Sequence, residues 1–158
     1  MDPKFAAFTE ELHGTFERLM GMVPITDGFL PTNLPQRGVY LFSEGGKHLY
    51  VGRSNSIRNR YFGHSRPGAT QNSAAFAMIL SREETGRKAS YRAGPDSRSG
   101  LMLDPTFSEV FSRQKARIRA MEFRCVEEKR PVQQTLLEVY CAVVLGARYN
   151  GEYPNFCV

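Results

Sequence analysis

Two short runs of strand-forming residues, separated by a pair of glycines, constrain the fold of this chain more than any other feature of its sequence. The first run covers residues 38–43 and the second covers residues 48–52, with Glu44, Gly45 and Gly46 between them. Both runs contain valine and tyrosine, and the first also contains phenylalanine; these residues favour strands because their side chains pack well on a pleated surface. Glycine reaches the positive φ angles that a tight turn requires. The pattern therefore predicts a β-hairpin.

A third strand and several helices are predicted around this hairpin. Residues 121–125 alternate between apolar and charged side chains, which indicates a strand with one buried face. The spacing of apolar residues predicts helices at 4–22, 55–64, 73–84, 107–118 and 132–148, whereas 91–103 has the composition of a loop. The predicted fold class is α+β: a small three-stranded antiparallel sheet flanked by helices, with an N-terminal helix and a long insertion.

The composition is that of one folded domain with a moderate excess of positive charge. Of the 158 residues, 41% are hydrophobic and 23% are charged, which is typical of a globular protein. No apolar run approaches the roughly 18 residues of a membrane span, and the acidic N-terminal segment disfavours an export signal. Three cysteines, each sixteen residues from the next, form neither a disulfide framework nor a zinc pattern. We therefore expect a cytoplasmic protein without membrane contact, and its net charge of +5 favours polyanionic partners.

The length of the hairpin turn decides on which faces of the sheet the two tyrosines of the hairpin lie. A three-residue loop formed by Glu44–Gly46 places Tyr40 opposite Tyr50. Both phenols then project from one face, because side chains alternate along a strand. A two-residue Gly45-Gly46 turn instead sets Tyr40 opposite Val51 and separates the phenols. We predict the three-residue loop.

One carboxylate interrupts the apolar run of the last predicted helix. From Leu136 to Ala147, each side chain is apolar, aromatic or small except that of Glu138. A helix that is apolar on all sides is buried, and burying an unpaired carboxylate costs on the order of several kcal/mol. The partner of Glu138 must therefore come from elsewhere in the fold. The alternatives are an arginine, a set of hydrogen-bond donors or a metal ion, and a buried salt bridge without a catalytic role is the simplest of them.

An ordered set of glycine, aromatic and polar residues extends from the hairpin to the end of this helix. The set comprises Gly38-Val39-Tyr40, Tyr50-Val51-Gly52, Arg60, His64, Glu138 and Asn150. In its order and spacing it resembles the signature of the GIY-YIG nuclease superfamily. The resemblance implies one nuclease domain over residues 1–158, divided into an N-terminal helix and connector (1–37), a motif core (38–64 and 119–150) and an insertion (65–118).

The resemblance also implies a reaction, the hydrolysis of phosphodiester bonds with the help of one divalent cation. Glu138 is then the ligand of Mg²⁺ or Mn²⁺, because a hard cation that keeps most of its waters accepts a single carboxylate. Arg60 binds the scissile phosphate through its forked guanidinium. Tyr40 orients or deprotonates the attacking water, and Tyr50 shares its hydrogen bonds.

Two further residues of the set have supporting roles under the same resemblance. His64 contacts a phosphate oxygen or relays a proton. Asn150 orients the phosphate or stabilises the backbone of the site. All members of the set are present in this chain, which favours an active enzyme over a non-cutting nucleic-acid-binding module of the same fold.

Cations outside this set predict the contacts with nucleic acid. DNA is the expected partner, RNA is the alternative, and the predicted contacts are Arg53, Arg58, Arg87, Lys88 and Arg92. Long loops beside an active site often carry specificity, so we expect the insertion to select the substrate. A restriction-type enzyme that reads a short sequence is a further alternative, which only the pattern of cut fragments distinguishes.

Overall fold

A three-stranded antiparallel sheet contains the predicted hairpin. The computed structural model describes residues 1–88 and 90–151. Strand β1 (Gly38–Glu44) lies between β2 (Lys47–Ser54) and β3 (Glu122–Glu127), so that β2 and β3 form the two edges. The predicted α+β class and its small antiparallel sheet are confirmed.

The chain divides into two compact units, which are described separately. The first comprises Met1–Arg58 and the residues from Met121 onward, and the second comprises Asn59–Ala120. In the described residues the helices are α1 (Pro3–Glu10), α2 (Leu12–Gly21), α3 (Ile57–Ser65), α4 (Ala75–Thr85), α5 (Arg98–Met102), α6 (Pro105–Ala120) and α7 (Pro131–Leu145), followed by a 3-10 turn at Arg148–Asn150.

The hairpin turn has two residues, not the three that the sequence predicted. Gly45 and Gly46 form the turn with φ angles of 58° and 77°. Glu44 accordingly pairs with Lys47, and the predicted loop at Glu44–Gly46 is wrong. Two consecutive glycines at positive φ match the type I′ turn, whose twist fits that of the flanking strands.

A β-bulge in strand β2 nevertheless returns the two phenols to one face. Phe42 pairs with Tyr50, whereas pairing nearer the turn is shifted by one residue, which leaves Leu49 as the extra residue of β2. Tyr40 therefore lies opposite Gly52, whereas the sequence predicted that it lies opposite Tyr50. Because the bulge reverses the alternation of side chains, the shared face of the two tyrosines is confirmed although the predicted register is wrong.

The N-terminal apolar pattern forms two helices instead of the single helix predicted at 4–22. The Asp2 carboxylate accepts hydrogen bonds from the backbone N–H groups of Lys4 and Phe5, so α1 begins where the sequence indicated. The helix is interrupted at Glu11. Near this break the Thr9 hydroxyl donates to the carbonyl of Ala6, a local hydrogen bond that competes with helix continuation.

Helix α7 packs against one face of the sheet and against α2, and the rest of its surface is exposed. Leu137 and Cys141 belong to the apolar core that α7 shares with β1 and β2. Val139 and Val143 are exposed, so the prediction of a helix buried on all sides is wrong. The helix ends before the predicted residue 148 because Gly146 adopts a left-handed conformation with a φ of 58°.

The second unit is built from helices packed against one another. Helices α4 and α5 both contact α6, and Phe76, Phe107 and Phe111 are buried. The predicted loop at 91–103 is wrong over the range of α5, which begins where the Ser97 hydroxyl accepts a hydrogen bond from the N–H of Gly100. A serine cap can start a helix that its few apolar residues do not reveal.

Candidate active site

The two tyrosines of the hairpin form an aromatic pair. Their ring centroids lie 6.4 Å apart. Tyr40 is buried and also packs against Phe42 and Phe123, whereas Tyr50 is partly exposed. This packing fixes the direction of the Tyr40 side chain, since a ring enclosed by other rings has few alternative rotamers.

Glycine is required at Gly52 because the Tyr40 hydroxyl lies directly over it. A Cβ atom at this position would be 2.3 Å from Tyr40 Oη, so any larger residue displaces the phenol. Gly38 is constrained in the same way, since a Cβ there would lie 1.8 Å from the carbonyl oxygen of Val126. Close packing therefore explains one glycine in each of the two tripeptides.

Glu138 forms an ion pair with Arg53, the residue that follows Gly52. The distance from Arg53 Nε to Glu138 Oε2 is 3.1 Å, and the two side chains are 46% and 24% exposed. Burial raises the pKa of Glu138 above its ordinary value, and the Arg53 guanidinium offsets part of this effect. Of the partners that the sequence left open for Glu138, the structure contains the arginine.

The tyrosine pair and the ion pair belong to opposite faces of the sheet. Arg53 pairs with Val39, which is part of the core beneath α7. Tyr40 and Gly52 pair with each other one position away, so they face the other side. Both groups reach the edge strand β2 at consecutive residues, Gly52 and Arg53. Tyr40 and Tyr50 therefore lie on one side of this strand, and the pair of Arg53 and Glu138 lies on the other.

Asn150 attaches the 3-10 turn after α7 to the free edge of strand β2. Its Nδ2 donates to the carbonyl of Val51, and the N–H of Val51 donates to its Oδ1, both at 2.7 Å. The side chain thus replaces a neighbouring strand at this edge. Of the two roles predicted for Asn150, this geometry supports the stabilisation of the backbone of the site.

Gln134 is a positioning residue that sequence reasoning missed. It is buried one helical turn before Glu138, and its Nε2 donates to the carbonyls of Ser54 and Glu128 at 3.4 Å and 3.0 Å. These bonds hold α7 against the end of β2. A polar residue on the buried face of an apolar helix was the available signal, because such a group must find partners.

Arg60 and His64 lie on α3 in the second unit. Arg60 Nη1 donates to the carbonyl of Ser73 at 2.9 Å. His64 is fully buried, and burial together with the nearby Arg60 lowers its pKa to about 3. The imidazole is therefore neutral at physiological pH. A charged contact between His64 and a phosphate is not available in this conformation.

Arg87 is engaged within the second unit. Its Nη2 lies 2.8 Å from Asp96 Oδ1, and its Nη1 lies 3.3 Å from Asp104 Oδ2. These hydrogen bonds and charges raise the pKa of the guanidinium further. Because two carboxylates already neutralise it, Arg87 contributes little free positive charge.

The other predicted cations differ in their surroundings. Arg58 donates to the carbonyl of Pro31 and is partly buried. Lys88 and Arg92 are exposed, as a contact with a large polyanion requires. Among the predicted cations of the insertion, Lys88 and Arg92 are therefore the best placed to contact a nucleic acid.

A single carboxylate of the first unit fits the requirements of a hard divalent cation. Within residues 1–88 and 90–151, no three His, Cys, Asp or Glu side chains come together as a metal site. Mg²⁺ keeps several waters and accepts one or two carboxylates. Glu138 provides one such ligand, partly buried and still reached by solvent. A carboxylate is the type of ligand that Mg²⁺ and Mn²⁺ accept, and the partner that the structure shows for Glu138 is Arg53.

Comparisons of the chain with models of protein families, with curated proteins and with solved structures found no match. No helix in the described part of the chain has the length and apolarity to cross a membrane. Function therefore has to be inferred from the residues and their geometry.

Proposed function

We propose that this chain is a metal-dependent endonuclease that hydrolyses phosphodiester bonds in DNA, with Glu138 as the ligand of the metal. The observation that carries the proposal is the largely buried Glu138 carboxylate beside Arg53. The Tyr40 hydroxyl lies over Gly52, which precedes Arg53 in strand β2. The resemblance in sequence assigns the carboxylate of Glu138 and the phenol of Tyr40 to this reaction, whereas the guanidinium that it assigns is that of Arg60 in the second unit.

Glu138 would hold Mg²⁺ or Mn²⁺ through its ionised carboxylate. The bound cation supplies positive charge for the phosphate oxygens and for the leaving oxygen. Because the pKa of Glu138 is raised, the carboxylate takes up a proton at a higher pH than an ordinary glutamate. Acid therefore weakens metal binding at a pH where exposed glutamates remain ionised.

Arg53 would bind a phosphate oxygen next to Glu138. Its side chain is almost half exposed, and arginine keeps its charge and several N–H donors even while one of them faces a carboxylate. The same guanidinium then bridges the carboxylate and the substrate. Its donors are thus positioned before the substrate arrives.

Under the resemblance, the Tyr40 hydroxyl would orient the attacking water from the other face of the sheet, at the point where it lies over Gly52 next to Arg53 in the edge strand. A phenol has an ordinary pKa near 10 and is a weak base, so nearby cations must lower the pKa for it to take a proton. Tyr50, whose ring packs beside Tyr40, would share the hydrogen bonds of this water under the resemblance. Arg60 and His64 belong to the second unit, and their roles in catalysis follow from the resemblance alone.

A second candidate function is a nucleic-acid-binding module that does not cut. The ion pair between Arg53 and Glu138 favours it, because a carboxylate with an arginine partner is satisfied without a metal. On this reading the positive charges bind nucleic acid, and Glu138 contributes only to the structure.

Incubation of the protein with supercoiled plasmid, branched DNA and RNA in Mg²⁺ distinguishes these functions, with EDTA as the control. A nuclease relaxes or cuts at least one substrate in Mg²⁺ and none in EDTA. Binding of nucleic acid without cutting in Mg²⁺ or Mn²⁺ supports the module instead. Discrete fragments indicate a restriction-type enzyme.

The matched pair of variants is Glu138→Gln and Glu127→Gln. Glu127 belongs to the same unit and forms an exposed ion pair with Lys129. Cutting should be lost with Glu138→Gln and kept with Glu127→Gln. Loss in both variants would mean that cutting depends on the overall charge and not on a metal ligand.

A further inference from the structure

Helix α7 presents an apolar stripe to solvent. Val132, Val139 and Val143 are 54%, 37% and 56% exposed, and Leu136 is partly exposed. At 3.6 residues per turn, these four side chains lie within an arc of about 60°. Their spacing of four, three and four residues is that of the seam between two paired helices.

We propose that this stripe is the interface at which two copies of the chain pair, with their α7 helices antiparallel. The inference does not depend on the proposed function. It follows from the symmetry of the stripe, from its lack of charge and from the apolar surface beside it.

The stripe is complementary to itself. When a two-fold axis passes near the middle of α7, Val132 faces the partner's Val143 and Leu136 faces the partner's Val139. The two-fold axis also relates the residues that flank the stripe, because it places Thr135 opposite the partner's Tyr140. A two-fold interface uses one patch of surface on both copies, and this spacing satisfies that condition.

No charged side chain interrupts the stripe. Glu138 is the single charged residue between Pro131 and Leu145, and it pairs with Arg53 on the side of the helix towards the sheet. The ionisable side chains beside Tyr140 are those of His13 and Glu17, which lie 3.4 Å from each other, so the stripe itself offers no charge to a nucleic acid or a charged peptide. Antiparallel pairing also brings the positive N-terminal end of each helix next to the negative C-terminal end of the other.

Exposed aromatic residues extend the patch. Phe5 and Phe8 of α1 are 47% and 39% exposed, and α1 packs beside α7. An interface of standard size buries about 800 Å² on each partner, which is more than one stripe of four residues supplies. We therefore expect a weak and reversible dimer.

Sedimentation velocity across roughly two decades of concentration around the micromolar range tests the proposal. The unmodified protein should pass from monomer to dimer, and Val143→Glu should remain monomeric throughout. The control is Val23→Glu, because Val23 is 82% exposed and lies between α2 and β1, outside helix α7. This control should dimerise like the unmodified protein, and circular dichroism should show that both variants are folded.

Mixing two monomeric variants tests the antiparallel arrangement. Val132→Lys and Val143→Glu should each fail to dimerise alone and should associate when mixed, because the lysine then faces the partner's glutamate. In a parallel pair these positions lie at opposite ends of the helix, and mixing restores nothing. A monomer at every concentration, equal effects of Val143→Glu and Val23→Glu, or no recovery on mixing would each overturn the proposal.

Discussion

The Glu138 carboxylate is held where burial opposes its charge. Its pKa is raised although Arg53 lies 3.1 Å away, so the ion pair does not fully compensate for the loss of water. A charge that a protein retains in such a place is often used for binding or catalysis. The protonation of this one side chain therefore links the stability of the fold to the proposed chemistry.

Replacing Glu138 by Gln should leave the fold at least as stable at pH 7. Glutamine keeps the shape and can still accept a hydrogen bond from Arg53, but it removes a charge that burial disfavours. The gain should disappear below about pH 4.5, where folded and unfolded chains both carry a protonated Glu138. Urea unfolding of both proteins at pH 7 and pH 4 measures the difference. A clear loss of stability at pH 7 would mean that the ion pair stabilises the fold.

His64 should make the protein sensitive to acid. Its pKa is lowered from 6.5 to about 3 in the folded chain, so only the unfolded chain takes up a proton between these values. The stabilisation is complete above pH 6.5 and is lost as the pH falls towards 3, by up to about 1.4 kcal/mol for each pH unit. His64→Gln should remove this slope. Equal slopes for the two proteins in urea unfolding at several pH values would contradict a buried neutral imidazole.

Among the elements, the hairpin shows what the sequence predicts and what it does not. The two strands follow from local composition, and so does the glycine turn. The register does not follow from local composition, because it depends on the bulge at Leu49. Packing selects this bulge, and no residue type in the strand indicates it. The shared face of Tyr40 and Tyr50 was therefore predicted correctly from an incorrect turn.

Helix α7 shows a second limit of prediction from sequence. Its apolar composition indicated burial on all sides, but composition does not reveal which faces the rest of the chain covers. The pairing of Glu138 with Arg53 was equally out of reach, since it depends on how α7 lies against the sheet. The positions of the helices themselves followed from the spacing of apolar residues, apart from α5 and the break between α1 and α2.

The contact between Gly52 and Tyr40 predicts a position-specific effect of adding one methyl group. Gly52→Ala should destabilise the protein by about 1–3 kcal/mol, because its Cβ would lie 2.3 Å from Tyr40 Oη and the enclosed ring cannot move freely. Gly14→Ala on α2 is the control, since nothing lies within 4 Å of the added atom. That control should stabilise the helix by about 0.5–1 kcal/mol. Similar thermal unfolding of the two variants would contradict the packing of Tyr40 over Gly52.

At the scale of the whole molecule, the residues of the resemblance divide between the two units. The tyrosines, Glu138 and Asn150 belong to the first unit, whereas Arg60 and His64 belong to the second. The second unit is helical, and it has both exposed and buried charged residues. We expect its exposed cations to determine which substrate is bound.

Lys88→Ala combined with Arg92→Ala should weaken DNA binding and make it less sensitive to salt. Each lost phosphate contact lowers the salt slope of the binding constant by about 0.9. Arg87→Ala should instead lower the stability of the unit, because Arg87 joins Asp96 and Asp104. Fluorescence anisotropy of labelled DNA at several salt concentrations measures the first effect, and thermal unfolding measures the second. Unchanged affinity and salt slope in the double variant would place the contacts elsewhere.

The central claim is that Glu138 serves phosphodiester hydrolysis. The most direct measurement is the rate of DNA cutting under single-turnover conditions, with saturating protein and Mg²⁺, for the unmodified chain and for Glu138→Gln. We predict cutting by the unmodified chain and a rate at least about 100-fold lower for the variant, at similar DNA affinity. No cutting by the unmodified chain, or a variant within about tenfold of it, would contradict the account.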